Sequence, residues 1–111
     1  MDATQRNVHK EIEQAIASNS VVLFMKGEPR LPQCGFSAAA VKMLADLGAD
    51  DYAYVNVLED GQIREGIKAY SSWPTIPQLY INQEFVGGAD IMRELHESGE
   101  LSRLLAKGIS N

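Results

Sequence analysis

Cys34 is the only cysteine in the chain. A lone thiol has two chemistries open to it: nucleophilic attack on a disulfide and ligation of a soft metal. Both require the thiolate. Cys34 stands in the stretch Met25 to Ser37, MKGEPRLPQCGFS, where an apolar run hands over to a segment of strong helix formers. A sulfur at or just before a helix N-terminus lies in the positive end of the backbone dipole, beside unpaired backbone N–H groups, and both favour ionisation. Lys26 adds a second positive charge if its side chain turns toward the sulfur. The competing reading is a buried cysteine acting as a small apolar side chain. The neighbours Gln33, Gly35 and Ser37 weigh against it.

The elements that must hold this residue are visible as patterns. Ser20 to Lys26, SVVLFMK, is β-branched and aromatic without polar alternation until its end, as expected of a strand buried on both faces. Gly27, Pro29 and Pro32 then predict a stiff irregular loop. Ser37 to Leu47 predicts a helix with Val41, Leu44 and Leu47 on one side and Gly48 at its end. Asp51 to Leu58 alternates like a strand, so strand, helix and strand form a βαβ unit with parallel strands.

Upstream, Val8, Ile12 and Ile16 mark an amphipathic helix from Thr4 to Ser18, closed by Asn19-Ser20. Downstream, Asp60 is placed to cap a helix through Ile63, Ile67 and Tyr70 that ends at Ser71-Ser72. Pro77 to Asn82 and Glu84 to Gly87 predict an antiparallel hairpin turning near Asn82-Gln83. Asp90 is placed to cap a fourth helix with Ile91 and Leu95 inward, and Leu101, Leu104 and Leu105 continue a fifth after Ser98-Gly99. The expected architecture is α/β: a four-stranded mixed sheet, a βαβ unit plus an antiparallel hairpin, flanked by about five helices in one domain over residues 1–111. Ligands in such sheets gather at the carboxyl ends of parallel strands, where the loop from Gly27 departs.

Composition narrows the function further. Ten basic residues against 15 acidic give a formal charge of −5, with no run of Lys or Arg for a phosphate backbone, so nucleic acid is not an expected partner. No apolar run approaches the roughly 20 residues that cross a bilayer. The N-terminus MDATQRNVHKEIEQ has neither a signal peptide's apolar core nor a transit peptide's lack of acids. With a thiol that is easier to keep reduced in a cytosol, the expectation is cytoplasmic residence and no membrane partner. His9 and His96 have no metal-ligand spacing to each other or to Cys34, and Tyr52, Tyr54, Tyr70 and Tyr80 read as packing residues.

Four ordered motifs carry a resemblance that covers nearly the whole chain: Met25-Lys26-Gly27, Pro32-Gln33-Cys34-Gly35-Phe36-Ser37, Trp73-Pro74-Thr75-Ile76-Pro77-Gln78 and Gly87-Gly88-Ala89-Asp90. Together they resemble the monothiol glutaredoxins of the CGFS type, from the thioredoxin-fold superfamily. Ser37 occupies the place of a dithiol oxidoreductase's second cysteine, so a two-cysteine cycle is unavailable. The resemblance implies a cis Ile76-Pro77 bond that leaves Ile76 backbone groups free to pair with glutathione. It also implies glutathione contacts from Lys26 and Arg64 at the glycine-end carboxylate, and from Gly88, Ala89 and Asp90 at the γ-glutamyl end. Taken singly, these residues also read as solvated charges, a turn and a helix cap. Many relatives carry a cysteine or serine where this chain has Ala89, so an internal disulfide to Cys34 is not available here.

The function implied by the resemblance is a glutathione-dependent carrier of a 2Fe-2S cluster bridged between two protomers. Cys34 and one bound glutathione from each side would act as ligands, in a cluster-dependent homodimer. BolA-type proteins and apo iron–sulfur acceptor proteins are the implied partners. The alternative is a glutathione-dependent thiol-disulfide oxidoreductase that removes glutathione from proteins with Cys34 as single nucleophile. A glutathione-binding scaffold without cluster or turnover is a third reading. The residues Glu28 to Pro32, inserted between Gly27 and the active-site turn, together with Gly35-Phe36-Ser37, mark by resemblance the cluster-holding class, which is weak in thioltransferase assays.

Overall fold

The computed structural model describes residues 6–109, with side chains described through Lys107. The first helix, α1 (Val8–Ala17), starts at the Asn7 cap, whose side chain accepts the Lys10 N–H, and it buries Ile12 and Ile16. The Thr4 start expected for this helix lies outside the described residues. Strand β1 (Val21–Met25) is buried at every position. It is followed by two short strands, β2 (Gly27–Glu28) and β3 (Leu31–Pro32), and by helix α2 (Gly35–Asp46). Strand β4 (Ala53–Asn56) runs into a 3-10 turn, Val57–Glu59, and then α3 (Gly61–Ser71). Strands β5 (Gln78–Ile81) and β6 (Glu84–Gly87) form the hairpin, and α4 (Ala89–Ser98) and α5 (Glu100–Ile109) complete the order.

The sheet order is β4-β1-β5-β6. Strand β1 is parallel to β4 and antiparallel to β5, which pairs antiparallel with β6. Alternation along β1 divides the core in two. Val21, Leu23 and Met25 join Met43, Leu44, Met92, Leu101 and Leu105 on the face covered by α2, α4 and α5. Val22 and Phe24 join Ile12, Ile16, Ile63, Ile67 and Tyr80 on the face covered by α1 and α3. The expected mixed sheet with five helices is present, including the parallel βαβ pair and the hairpin turning at Asn82 and Gln83, both at positive φ.

Local differences have physical causes. The segment after Gly27 is not irregular: Gly27 pairs with Pro32 and Glu28 with Leu31 in a small antiparallel ladder. Each proline there falls where a ladder donor is not required, so the prolines shape the hairpin rather than forbid it. Helix α2 begins two residues earlier than Ser37, and its buried face is Ser37, Ala40, Met43 and Leu44, with Val41 and Leu47 only partly covered. In α4 the deeply buried positions are Ala89 and Met92 rather than Ile91 and Leu95. Asp90 does not cap α4; Gly88 holds the cap position without a side-chain bond, and Asp90 sits exposed in the first turn. Tyr54 is not a packing residue, since it stands exposed on the edge strand β4.

Candidate functional site

Cys34 is the N-cap of α2, in extended conformation, and its Sγ accepts the Ser37 N–H at 3.3 Å. The thiol donates to Ser37 Oγ at 3.4 Å; once the sulfur is ionised, that hydroxyl is free to donate to it. Ser37 is fully buried, and its Oγ also accepts the Lys26 N–H at 3.0 Å. Burial of the sulfur pushes the thiol pKa up. Hydrogen bonding from the Ser37 hydroxyl and from the Ser37 and Phe36 N–H groups, with the charge of Lys26, outweighs that and leaves Cys34 below the ordinary thiol range. The residue that replaces a second cysteine is therefore a working part of the site.

Replacing Ser37 with alanine tests this. Ser37→Ala should raise the Cys34 pKa, moving the rate profile of iodoacetamide alkylation to higher pH, and should cost about 1–2 kcal/mol of stability because the Lys26 N–H loses its acceptor. The sign follows from linkage: a depressed folded-state pKa stabilises fully above the ordinary thiol value, and that stabilisation is lost as pH falls through the folded value. An unchanged alkylation profile would show that the hydroxyl has no hold on the thiolate.

A cavity of about 330 Å³ opens next to the Cys34 turn, at Phe36 and Lys26. It brings together Lys26, Arg64, Ile76, Pro77, Gly88, Ala89 and Asp90, which come from four separate parts of the chain. Cys34 is not itself in the cavity wall. Its neighbour Phe36 is, as is Lys26, whose backbone is tied to Ser37. The Arg64 Nε is buried and has no partner. Three cations, Lys26, Arg64 and Lys68, and one acid, Asp90, line this space, with Lys68 paired to Glu65 at 3.4 Å. Lys26 and Arg64 still outnumber Asp90 there, in a chain of net charge −5.

The far wall is set by the cis Ile76-Pro77 bond, as the resemblance implies. Ile76's backbone N–H and carbonyl take no backbone partner among the described residues. Gln78 is fully buried and satisfied: its Nε2 donates to the carbonyls of Trp73 and Thr75, each at 3.2 Å, and its Oε1 accepts the Tyr80 hydroxyl at 3.3 Å. That one amide pins the Trp73–Thr75 loop to the core. Gly88 is closely packed: a Cβ there would stand 3.2 Å from both the Pro77 carbonyl oxygen and Trp73 Nε1, which would have to give by a few tenths of an ångström.

Sequence reasoning missed the roles of Lys68, Phe36 and Gln78. Lys68 lies four residues after Arg64 on α3, so helical spacing alone places both on one face. A glutamine following the proline of a buried segment is a weaker signal, because only the structure shows which carbonyls it serves.

The folded chain thus carries a lone activated thiol at a helix N-terminus beside a cationic cleft, on a thioredoxin-like sheet. The glutaredoxin family model matches residues 21–86, and the chain belongs to the glutaredoxin family. Within that family its likeness is to the monothiol members. The mitochondrial monothiol glutaredoxin-5 of Lachancea kluyveri is 58% identical over 96 residues, covering 85% of this chain and 67% of that protein. Its counterpart from Saccharomyces cerevisiae is 55% identical over 100 residues, covering 88% and 67%. The solution structure of reduced poplar apo GrxS14 superposes with a TM-score of 0.78 at 47% identity, covering 92% of this chain and 93% of that one. The chain therefore spans about two thirds of the length of the two yeast relatives.

These relatives correct one expectation. The compositional reading of cytoplasmic residence is overturned, because the similar yeast proteins are named as mitochondrial. The physical reason is plain: a reduced lone thiol and an acidic surface suit any reducing compartment, so composition does not distinguish a cytosol from an organelle.

Proposed function

We propose that this protein is a glutathione-dependent carrier of a 2Fe-2S cluster, which it receives and passes on as cargo held between two copies of the chain. The carrying observation is the juxtaposition of a thiol biased toward thiolate with a cleft whose charges complement glutathione. Glutathione has two carboxylates and one ammonium. Lys26 and Arg64, whose buried Nε lacks a partner, suit the glycine-end carboxylate. The backbone of Gly88 and Ala89 at the start of α4 suits the other carboxylate, and Asp90 suits the ammonium. Ile76 and Pro77 line the same cavity and suit the stretch between these ends.

Among the described residues no three His, Cys, Asp or Glu side chains are grouped to hold a metal. A cluster that prefers four thiolate ligands would then draw on Cys34 and one glutathione thiol from each of two protomers. Ligands that are half exchangeable suit release to apo iron–sulfur acceptors, and a BolA-type protein could replace the second copy. The names of the relatives favour a mitochondrial setting for this traffic.

The test is ligand removal. Apo-protein reconstituted anaerobically with iron and sulfide should develop the visible absorption of a 2Fe-2S cluster only when glutathione is present. Full colour without it would reject the shared-ligand reading. The lowered thiol also favours a second role, glutathione-disulfide oxidoreduction with Cys34 as nucleophile. That role requires apo-protein to turn over a small glutathione mixed disulfide at about 1 per second or faster.

A further inference from the structure

Asn56 lies at the end of β4 and is not part of the cavity wall. Its Oδ1 accepts two backbone N–H groups, from Gly27 at 2.9 Å and from Leu58 at 3.0 Å. Both partners are donors, so the accepting atom must be the amide oxygen. The Leu58 bond is an ordinary cap on the 3-10 turn. The Gly27 bond is not: it crosses 29 residues of sequence to the peptide that follows Lys26.

On that side three bonds hold the backbone at Lys26, from which its side chain departs. Its own N–H donates to Ser37 Oγ at 3.0 Å, its carbonyl accepts the Gln33 N–H at 2.8 Å, and the next N–H is taken by Asn56. On the other side a short relay leads to Arg64. The Asp60 N–H donates to the Val57 carbonyl at 3.4 Å, Asp60 Oδ1 caps α3 by accepting the N–H groups of Gln62 and Ile63, and the Arg64 N–H donates to the Asp60 carbonyl at 3.0 Å. One side-chain oxygen therefore joins the peptide that aims Lys26 to the turn that starts the Arg64 helix.

We propose that Asn56 is a positioning residue that sets the spacing of Lys26 and Arg64 for a single carboxylate, the glycine end of glutathione. The proposal rests on the glutathione reading of the cavity and adds a residue to it. Two cations at a fixed separation discriminate a carboxylate from its uncharged ester. Loosening that separation removes the discrimination at this end of the ligand. It leaves the γ-glutamyl end, at Gly88 to Asp90 on a different element, as it was.

The experiment is calorimetric titration of reduced full-length apo-protein with glutathione and with glutathione monoethyl ester at the glycine carboxyl. Wild-type protein should prefer the free acid by about tenfold, the scale of one charge-assisted contact. Asn56→Ala should bring that ratio to within about twofold while changing the ester's affinity by no more than about twofold. Asn56→Asp, which keeps an acceptor oxygen, should retain the preference. Should Asn56→Ala fail to fold, Asn56→Ser carries the same expectation, because its shorter side chain reaches at most one of the two N–H groups. A variant that keeps the wild-type ratio, whether or not both ligands bind more weakly, would overturn the positioning role. Wild-type protein that binds neither ligand would overturn the glutathione reading itself, and this proposal with it.

Discussion

Cys34→Ser should be a folded, colourless monomer after reconstitution with iron, sulfide and glutathione, where the wild-type protein should be a coloured dimer. Serine keeps the cap on α2, because its oxygen can accept the Ser37 N–H that the sulfur accepts at 3.3 Å. Stability should therefore change little. What is lost is the soft ligand, since a serine hydroxyl is not ionised near neutral pH and is a poor match for an iron–sulfur site. Ala89 supplies no substitute thiol, and Cys34 is the only cysteine. Visible absorbance and size-exclusion elution check both parts of the expectation. A Cys34→Ser protein that retained cluster would sink the assignment of Cys34 as ligand.

Gly27→Ala should be strongly destabilising. Gly27 has φ +90, which side chains rarely adopt, and a Cβ there would stand 2.6 Å from the Leu31 carbonyl oxygen and 2.7 Å from Gln33 N. Neither backbone atom can move without opening the β2-β3 ladder. Strain and lost ladder together should cost roughly 2–4 kcal/mol, a large part of a small domain's stability. Because the Gly27 N–H is bound by Asn56 and the preceding carbonyl by Gln33, the damage should extend to Lys26 and so to glutathione binding. Urea unfolding checks the stability, with Gly61→Ala as control, since a Cβ at Gly61 meets nothing within 4 Å. A Gly27→Ala protein as stable as the control would show that the turn tolerates a side chain.

Much of this was legible in the sequence because the signals were local. The unbroken apolar run of β1, the Asn82-Gln83 turn and the Asp60 cap each depend on residues within a few positions, and all three are present. Cys34 at a helix start was read for the same reason. What escaped was set by partners far along the chain. Whether Ser37 is a spectator or the acceptor for Lys26 depends on how β1 meets α2. Gln78 looks like a strand residue until the carbonyls of Trp73 and Thr75 are seen above it. The β2-β3 hairpin was missed because two prolines outweigh a two-residue ladder in any pattern based on composition. An aspartate near a helix start fits a cap by sequence, but the backbone places Gly88 at that position and Asp90 in the first turn.

In the proposed cluster carrier, half of the metal site is borrowed from glutathione. Native mass spectrometry of the reconstituted protein measures this most directly. The predicted species is two chains, one 2Fe-2S cluster and two glutathione molecules, collapsing to apo-monomer when glutathione is removed. A cluster-bearing species without glutathione, or a single chain that holds the cluster alone, would contradict it.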